Sequence, residues 1–392
     1  MKTKMTRLGD IARVTSGGTP DRERPEYWSG SVPWVKTSLI QNCEINLGDI
    51  DEFITDAGLK KSAAKIIPSG SILMAMIGQG KTRGQVAILN TDAAINQNCA
   101  ALILNGGVET QYVYQQLLYR YEELRNASNS SGQQNLNAAL IRDFRIPCPE
   151  AHQQVAIGQT LNDWDRSINK LDRLIASKEH HHRWLLQQLV ERKAARAHWE
   201  TQELGVVIRE RSERSTEHDE HPVLTSARRG LFLQSEYFSK QVTSEDNTGY
   251  KIMRRGEFTF RSMSDDGRFV FNRLEKYDAG IISPAYGVFY ADGVSPEFLV
   301  HYLNSAYFAQ MLARETQGGT RKALRFSALA GMEVDLPKRT DQERIASTLD
   351  GSRREIGLLQ AQLELLRRQK RGLMQKLLTG EWRVPVAEVE VT

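Results

Sequence analysis

An internal duplication constrains this chain more than any other feature of its sequence. A shift of 188 residues, which carries Pro149 onto Pro337, aligns the two long helical regions of the chain without gaps, and a fainter similarity that drifts by a few residues precedes each of them. The matched positions include polar identities, such as Gln154 with Gln342, which two unrelated amphipathic helices seldom share. Because self-similarity at a fixed period marks a repeated structural unit, the sequence predicts two copies of one plan. Each copy is a globular segment followed by a long helix.

The two long helices share one regular pattern, in which seam positions follow alternating steps of four and three residues. In the first helix the series is Ile157, Leu161, Trp164, Ile168, Leu171, Ile175, Lys178, His182, Leu185 and Leu189. In the second helix it is Ile345, Leu349, Ser352, Ile356, Leu359, Leu363, Leu366, Lys370, Leu373 and Leu377. Such spacing places one mostly apolar seam along each helix, as a coiled coil requires. We expect the helices to pair with each other. The alternative is that each helix packs on its own globular segment.

The helix ends and the globular segments can also be assigned. Thr340 and Glu343 have the spacing of a capping box at the start of the second helix, and Gly380 marks its end. Glu109 to Leu124 and Ser295 to Ala313 predict amphipathic helices. Short apolar runs predict strands at Ser71 to Ile77, Val86 to Leu89, Ala100 to Leu104, Glu257 to Phe260 and Gly287 to Tyr290. Each segment is therefore predicted to be a mixed α/β domain dominated by a twisted sheet.

The predicted organisation has five parts. Residues 1–148 form the first domain, 149–198 the central long helix, 199–336 the second domain, 337–380 the distal long helix and 381–392 a C-terminal tail. The N-terminal residues lack the apolar core of a signal peptide, and no run reaches the roughly 18 apolar residues of a membrane helix. We therefore expect a cytoplasmic protein that contacts no membrane.

Two motifs suggest catalysis or metal binding but do not meet the requirements. Gly78 to Thr82 has the ending of a phosphate-binding loop, which must join a strand to a helix. Ala75 stands where the first glycine is needed, and Gln85 to Leu89 has the composition of a strand, so a polar loop between two strands is predicted. His180 to His182 are consecutive in a helix and point about 100° apart, so they cannot converge on one metal ion. No C-x-x-C pair is present.

Familiar enzyme motifs are also missing from the sequence. The chain has no Pro-Pro dipeptide, which the base-binding motif of adenine N6-methyltransferases requires, and no strand–GxG–helix opening for S-adenosylmethionine. HExxH and GxSxG are absent as well. We therefore predict a recognition protein that is not an enzyme and binds no metal or cofactor. Because the formal net charge is only +4, any surface that binds nucleic acid must be local.

Polar, amide-rich and basic loops occur at matching places in both copies, and these are the candidates for DNA contact. In the first segment they are Lys36, Gln79, Lys81, Arg83, Asn96, Gln97, Gln133 and Gln134. In the second they are Arg228, Arg229, Arg261, Arg268, Tyr286, Arg321 and Lys322. Lys and Arg neutralise phosphates, Arg pairs with guanine, and Asn and Gln pair with adenine. For any single residue, the alternative is an ordinary solvated side chain.

Taken in order, several short motifs resemble those of the specificity (S) subunits of Type I restriction–modification enzymes. They are Leu8-Gly9-Asp10-Ile11, Ser16-Gly17-Gly18-Thr19-Pro20, Val32-Pro33-Trp34-Val35-Lys36, Asn96-Gln97-Asn98, Ile146-Pro147-Cys148-Pro149 with Gln153-Gln154, Val334 to Pro337 with Gln342-Glu343, and Leu377-Leu378-Thr379-Gly380-Glu381-Trp382. The resemblance covers nearly the whole chain. The second segment departs from it, because it has no equivalent of SGGTP or PWVK.

The resemblance implies two target recognition domains at opposite ends of an antiparallel coiled coil with pseudo-twofold symmetry. Each domain would read one half of a bipartite, asymmetric site in double-stranded DNA, and the helices would set the spacer. The implied partners are two methyltransferase subunits, which carry S-adenosylmethionine, and, where present, two restriction subunits, which use ATP and Mg²⁺. Candidates for partner docking are Arg183, Arg192, Lys193, Arg367 and Arg368. The alternative is a non-catalytic coiled-coil scaffold with two protein-binding domains.

Overall fold

The structure is a computed structural model that describes residues 4–78, 80–130, 135–237, 246–315 and 322–385. The chain divides into two units. The first combines Met1–Asp172 with Gln362–Thr392, and the second is Arg173–Ala361. Each unit therefore contains one globular segment and a part of each long helix.

The first globular segment consists of short strands and helices. Its strands are β1 (Met5–Arg7), β2 (Ala12–Ser16), β3 (Trp28–Val35), β4 (Cys43–Ile45), β5 (Phe53–Ile54), β6 (Ile66–Ile67), β7 (Ile72–Ala75), β8 (Val86–Leu89), β9 (Ala93–Ile95), β10 (Cys99–Leu104) and β11 (Arg145–Pro147). Its helices are α1 (Leu8–Ile11), α2 (Asp56–Lys60), α3 (Thr110–Tyr119), α4 (Tyr121–Ser130) and α5 (Ala138–Asp143). The long helix α6 (Ala151–Leu186) follows and ends in a π-helical turn, Gln187–Glu191.

The second globular segment also consists of short strands and helices. Its strands are β12 (Glu200–Glu203), β13 (Ile208–Glu210), β14 (Val223–Ala227), β15 (Gly230–Leu233), β16 (Lys251–Arg254), β17 (Phe258–Arg261), β18 (Met263–Ser264), β19 (Asn272–Arg273), β20 (Ala279–Ile282), β21 (Tyr286–Ala291), β22 (Lys322–Ala323) and β23 (Glu333–Leu336). Its helices are α7 (Gln234–Tyr237), α8 (Pro296–Leu303), α9 (Ala306–Glu315) and α10 (Phe326–Ala330), and the long helix α11 (Arg339–Leu378) follows.

The main sheets of the two segments have matching strand orders, except that β4 at the edge of the first sheet has no counterpart among the described strands of the second segment. In the first segment they are β2-β10-β7-β8-β4 and β5-β3-β9-β6, and in the second β13-β21-β17-β19 and β15-β14-β20-β16. β3 pairs in parallel with β9, as β14 does with β20. β6 pairs antiparallel with β9, as β16 does with β20. The two segments therefore repeat one topology, and the predicted mixed α/β fold is confirmed.

Different side chains fill the two cores. The first core is mainly aliphatic, with Ile72 and Leu102 fully buried between the sheet and its helices. The second core is aromatic: the ring centroid of Phe289 lies 5.1 Å from that of Phe258 and 6.4 Å from that of Phe271. A common backbone plan therefore carries diverged sequences, so the loops that it presents also differ.

Leu8 and Leu204, each followed by glycine, occupy equivalent positions in the two segments. Each lies just after the first strand of a two-stranded ribbon, β1 with β11 and β12 with β23. The amide of Leu8 donates a hydrogen bond to the carbonyl oxygen of Phe144, and the amide of Leu204 donates one to that of Met332, both at 2.8 Å. Leu8-Gly9 and Leu204-Gly205 therefore lie at the same backbone junction of the two segments.

Gln154 and Gln342 show why the duplication keeps a polar residue. Gln154 Oε1 accepts a hydrogen bond from the amide of Glu109 at 3.1 Å, and Gln342 Oε1 accepts one from the amide of Ser295 at 2.7 Å. Each Nε2 donates at 2.8 Å to the carbonyl oxygen of the proline five residues earlier. Both side chains are buried. One amide thus joins each long helix to the start of α3 or α8.

The predicted seam positions are shielded from solvent along both long helices. Every predicted seam position on α6 and α11 is buried or half-buried. Within the first unit, Lys370 Nζ lies 2.6 Å from Asp165 Oδ1. Within the second unit, Lys178 Nζ lies 2.7 Å from Glu355 Oε1. Each unit therefore contains an ion pair that joins a part of α6 to a part of α11.

The amphipathic helices predicted beside each sheet are both interrupted. The predicted helix from Glu109 to Leu124 is α3 followed by α4, and the one from Ser295 to Ala313 is α8 followed by α9. In the second case Asn304 leaves the helical conformation, with φ −99° and ψ 7°. Ser305 Oγ then accepts a hydrogen bond from the amide of Phe308 at 3.1 Å and begins α9. Apolar spacing continues through the break, so the pattern alone cannot show it.

The two ends of α11 differ in how well the sequence predicted them. The capping box is wrong, because α11 begins at Arg339 and Thr340 lies within its first turn. Glu343 instead forms an ion pair with Arg339 at 2.8 Å. Gly380 ends the helix as predicted. Its φ of 77° lies in the left-handed region that glycine adopts readily, and its amide donates to the carbonyl oxygen of Leu377 at 3.2 Å.

A polar contact on α3 connects the first globular segment to both long helices of its unit. Asp165 on α6 accepts hydrogen bonds from Gln115 on α3 at 2.7 Å and from Lys370 on α11 at 2.6 Å. Gln115 is fully buried. The alignment that carries Gly107 onto Gly293 places Gln115 on His301 of the second segment.

His301 on α8 is buried, and its Nε2 lies 2.7 Å from Asp350 Oδ1 on α11. Burial lowers the pKa of His301, and the positive charge of Arg353 lowers it further, although Asp350 raises it. The half-buried ring of His182 on α6 lies 6.4 Å away between centroids. Burial lowers the pKa of His182 as well. Both imidazoles are therefore neutral at neutral pH.

We expect Gln342→Ala to lower the free energy of unfolding by about 1–3 kcal/mol, because it leaves the buried amide of Ser295 without its acceptor. Gln375→Ala, at an exposed position of the same helix, is the matched control and should change stability by less than about 0.5 kcal/mol. Urea unfolding of both variants measures the difference. Equal effects of the two substitutions would show that the hydrogen bonds of Gln342 make no specific contribution to stability.

We expect the chain to lose stability as the pH falls from 7.5 to 5.5, because unfolded histidine binds a proton near pH 6.5 whereas folded His301 and His182 bind it only at lower pH. His301→Gln, which places glutamine where Gln115 stands in the first segment, should weaken this dependence. Urea unfolding at the two pH values measures it, with the exposed His180→Gln as control. An unchanged dependence in His301→Gln would contradict the expectation.

Candidate nucleic-acid interface

The candidates of the second segment meet at one concave surface, which we call the arginine cavity. Arg228, Arg229, Arg261, Arg268 and Tyr286 all line this cavity of about 600 Å³. The first two form the turn between β14 and β15, and Arg261 on β17 lies opposite Tyr286 on β21. Arg268 lies in the loop between β17 and β19. The fold thus gathers residues that are up to 58 positions apart in sequence.

Hydrogen bonds from the neighbouring strand β19 hold the turn that carries Arg228 and Arg229. Ala227 pairs with Gly230, which closes the hairpin with the two arginines at its tip. Asn272 on β19 donates hydrogen bonds to the Ser226 hydroxyl and to the carbonyl oxygen of Ala227, both at 2.8 Å. The sequence analysis missed Asn272, because it belongs to no basic or amide-rich cluster.

Asp266 bonds three residues that line the arginine cavity. Its carboxylate pairs with the guanidinium of Arg228 and accepts hydrogen bonds from the Ser264 hydroxyl at 3.0 Å and the Arg268 amide at 3.2 Å. The bonds from Arg268 and Ser264 lower the pKa of Asp266 below its ordinary value. Asp266 therefore fixes the turn that carries Arg268. The composition Asp-Asp-Gly at 265–267, which is typical of turns, could have indicated it.

The other three arginines of the cavity are not paired with a carboxylate of the described residues. Among the described residues, no carboxylate lies within 4.0 Å of the guanidinium nitrogens of Arg229, Arg261 or Arg268. All three side chains are exposed. Four guanidinium groups face the two carboxylates of Asp265 and Asp266, so the arginine cavity has an excess of positive charge. Such a surface attracts phosphates and can pair with guanine edges.

In the first segment, Lys36 follows β3 and is neutralised by two carboxylates. Its Nζ lies 2.8 Å from Asp51 and 3.1 Å from Glu52, and these hydrogen bonds raise the pKa of Lys36. Glu52 also pairs with Arg22 at 2.7 Å, and the Arg22 guanidinium stacks over the Trp28 ring at 3.7 Å. Sequence analysis did not identify Arg22, because a stack between a cation and an aromatic ring has no fixed spacing.

The SGGTP motif packs tightly against its neighbours. A Cβ on Gly17 would lie only 1.8 Å from the carbonyl oxygen of Ile95, so no larger residue fits there. The indole N–H of Trp34 donates to the carbonyl oxygen of Gly18 at 3.0 Å. Thr19 contacts Gln97 through its hydroxyl. The motifs SGGTP, PWVK and NQN are separate in sequence but contact one another in the structure. We call this cluster of three motifs the joint.

Within this joint, Asn96 and Gln97 differ in accessibility. Asn96 is nearly buried, and its Oδ1 accepts hydrogen bonds from the Thr37 hydroxyl at 3.1 Å and the Asn98 amide at 3.0 Å. Gln97 is exposed. Asn96 therefore holds the turn that presents Gln97. Direct DNA contact by either residue stays a prediction.

The loop with Lys81 and Arg83 joins β7 to β8, two antiparallel strands. A strand therefore follows the glycine-rich stretch, as predicted, and not the helix that a phosphate-binding loop needs. Lys81 is exposed and Arg83 is half-buried. The hydroxyl of Tyr121 donates to the carbonyl oxygen of Lys81 at 2.5 Å, which ties the loop to α4.

The candidates correspond between the two segments. Lys36 follows β3, and Arg228 follows its equivalent strand β14. Lys81 lies between β7 and β8, and Arg268 lies between the equivalent strands β17 and β19. Several candidates fall outside what the structure describes: Gln79, Gln133, Gln134, Arg321 and the side chain of Lys322. Their predicted roles stay untested.

The residues predicted for partner docking lie in two different environments. Arg183 and Arg368 are exposed on the long helices. Arg367 is also on the surface, but it pairs with Asp172 at 2.8 Å. Arg192 and Lys193 lie in the turn after Glu191 rather than on a helix face.

The three consecutive histidines point in different directions, as predicted. His182 is half-buried, whereas His180 and His181 are exposed. Across the described residues, no group of three or more His, Cys, Asp or Glu side chains has the geometry to hold a metal ion. In the same part of the chain, no helix is long and apolar enough to cross a bilayer.

The family described as the Type I restriction modification DNA specificity domain matches residues 2–176. The matched stretch is less than half of the 392 residues of this chain. The match spans the first globular segment and reaches into α6. It therefore includes the SGGTP, PWVK and NQN joint as well as the hairpin loop with Lys81.

Two curated relatives carry the name of specificity subunit. The Type I restriction enzyme EcoR124I/EcoR124II specificity subunit of Escherichia coli is 25% identical over 170 residues, 42% of this chain and 41% of that subunit. The Type I restriction enzyme MjaIX specificity subunit of Methanocaldococcus jannaschii is 28% identical over 165 residues, 41% of this chain and 38% of that subunit. The chain thus spans about two fifths of the length of each relative.

The fold has a counterpart among solved structures. The S subunit of a Type I restriction–modification system from M. genitalium superposes with a TM-score of 0.57 at 15% identity, over 96% of both chains. At this identity the likeness concerns the fold alone. It extends over both globular segments and both long helices.

Proposed function

We propose that this chain is the DNA-specificity subunit of a Type I restriction–modification complex and that it catalyses no reaction itself. The observation that carries the proposal is the arginine cavity, where β14, β17 and β21 gather four guanidinium groups and the phenol of Tyr286. Exposed guanidinium groups neutralise phosphates and pair bidentately with guanine. The family match of the first segment and the repeated topology of the second support the same role for both.

Each domain would read one half of an asymmetric, bipartite site in double-stranded DNA. The two segments share a topology, but their equivalent cations differ in environment. Lys36 is paired with Asp51 and Glu52, and Arg228 is paired with Asp266. Arg228, however, shares its cavity with three further arginines that have no carboxylate within 4.0 Å among the described residues. Surfaces with different charge patterns prefer different base edges, so the two half-sites should differ in sequence.

The proposal includes an antiparallel coiled coil of α6 and α11 that fixes the spacer between the half-sites. Contacts within the first unit support it: Asp165 pairs with Lys370 and Asp172 with Arg367, so residue numbers rise along one helix as they fall along the other. In the second unit, Glu179 accepts a hydrogen bond from Gln360 at 3.1 Å. The rods would be the helical parts of residues 149–198 and 337–380, the first of which ends at Glu191, with domains 1–148 and 199–336 and a tail at 381–392.

The proposed complex supplies the chemistry that this chain lacks. Two methyltransferase subunits would bring S-adenosylmethionine, and restriction subunits, where present, would bring ATP and Mg²⁺. Arg183 and Arg368 on the long helices, together with Arg192 and Lys193 in the adjoining turn, offer exposed cations for docking acidic surfaces of these partners. We place the complex in the cytoplasm, where its DNA substrate lies.

Salt dependence tests DNA binding against a scaffold that binds only proteins. Each phosphate contact should lower the logarithm of the binding constant by about 0.9 per unit of log salt concentration. The complex of this chain with its methyltransferase subunits should therefore bind duplex DNA with a steep salt dependence. No measurable affinity for DNA in that complex would favour the scaffold.

We expect the double substitution Arg261→Ala and Arg268→Ala to weaken recognition of one half-site only, by about 1–3 kcal/mol for each base that these arginines read. Lys81→Ala and Arg83→Ala should act only on the other half-site. Sequencing of methylated motifs in a host that expresses the complex reads both halves. Arg255→Ala, which removes an exposed arginine outside the arginine cavity, is the control. Equal loss at both halves would reassign these residues to phosphate binding or to folding.

Lengthening the rods should lengthen the spacer. Four extra residues in each long helix add about 6 Å, so we expect a spacer longer by one or two base pairs with unchanged half-sites. Seven extra residues keep the heptad in phase and add about 10 Å, or roughly three base pairs. Methylated-motif sequencing gives the spacer directly. Altered half-sites with an unchanged spacer would contradict the coiled-coil arrangement.

A further inference from the structure

A second cavity adjoins the arginine cavity within the second unit. It has a volume of about 670 Å³, and its lining includes Arg228, Arg229, Lys276 and Arg353. The turn of Arg228 and Arg229 lines both cavities, so this turn forms their shared wall. Lys276 lies in the loop after β19, and Arg353 lies on the long helix α11. The second cavity therefore extends from the globular domain to the helix.

The charge of this second cavity is positive. Arg273 contributes little to it, because it pairs with Glu275 at 2.8 Å and with Glu297 at 2.6 Å. Arg229, Lys276 and Arg353 are exposed, and no described carboxylate lies within 4.0 Å of their side-chain nitrogens. Three elements of the fold thus each supply one cation without an ionic partner.

The exposure of these cations favours a polyanion over a small ligand. A free phosphate gains little from exposed charges, because water and salt screen each contact. A nucleic-acid backbone contacts several cations at once and releases condensed counterions, so that the individual gains add up. The continuity with the arginine cavity places this second surface beside the bases that the domain would read.

We propose that Lys276 and Arg353 bind backbone phosphates of the duplex that flanks the half-site of the second domain. The inference rests on the proposed function, and it adds a DNA contact made by the long helix itself. These contacts carry no sequence information, because phosphates are the same at every base pair. They increase affinity for cognate and unrelated DNA alike and set the register of the domain on the duplex.

At the equivalent position of α6, the charge is reversed. The shift of 188 residues places Asp165 on Arg353. Asp165 carries the opposite charge, and it is already bonded to Gln115 at 2.7 Å and to Lys370 at 2.6 Å. A carboxylate at that position would repel a phosphate. The flanking contact therefore belongs to one half of the molecule, which makes the DNA footprint asymmetric.

The experiment measures the binding of cognate and unrelated duplexes by the complex of this chain with its methyltransferase subunits, at several salt concentrations. Lys276→Gln and Arg353→Gln should each reduce the slope of log affinity against log salt by about 0.9, and the double variant by about 1.8. The ratio of cognate to unrelated affinity should stay within about twofold, because phosphate contacts do not distinguish sequences.

Two matched variants separate contact from general charge. Arg354→Gln removes the neighbouring exposed arginine of α11, which does not line the cavity, and should leave the slope unchanged. Arg353→Lys keeps the charge and should retain the wild-type slope. If Arg353→Gln and Lys276→Gln keep the wild-type slope, or if Arg354→Gln lowers it equally, the inference is overturned. A wild-type complex without affinity for DNA would instead overturn the proposed function.

Discussion

The apolar seams of α6 and α11 must be buried, and the organisation of the chain depends on this requirement. Each seam runs along almost the whole helix, so one globular segment cannot cover it alone. Each unit accordingly takes part of both helices: the first unit includes α6 up to Asp172 and α11 from Gln362 onward. The buried amides of Gln154 and Gln342 then fix each domain to its helix, since each bonds the start of a neighbouring helix and the carbonyl oxygen of a proline.

One topology supports two different surfaces because the sheets fix where loops emerge but not what they contain. Residues that follow β3 and β14, or that join β7 to β8 and β17 to β19, reach corresponding places in both segments. The chemistry there depends on local ion pairs. Lys36 faces Asp51 and Glu52, whereas Arg261 and Arg268 have no such partners among the described residues. Different loops on a repeated topology thus give two surfaces with different charge patterns.

Many features of the fold were predictable because they depend on local periodicity. The seam positions, the strand Val86–Leu89 and the helix end at Gly380 all follow from spacing or from glycine geometry. The broken helices and the start of α11 were not predictable in this way. The break at Asn304 depends on the Ser305 hydroxyl, which caps α9 within an apolar pattern that continues without interruption. The fold of the second segment nevertheless matched that of the first, although its sequence lacks the SGGTP and PWVK motifs.

The sequence by itself determined the duplication, the two long helices and the residue types of the candidate surface, because each of these is written in local order and spacing. Only the tertiary structure decided which cations remain available. The pairs Lys36 with Asp51 and Arg228 with Asp266 join residues that are 15 and 38 positions apart. Asn272 and Asp266 likewise contact residues that are distant in sequence, and Arg353 lines one cavity together with the turn of Arg228 and Arg229. Ionic and hydrogen-bond partners are chosen by distance in space, and the chain must fold before that distance exists.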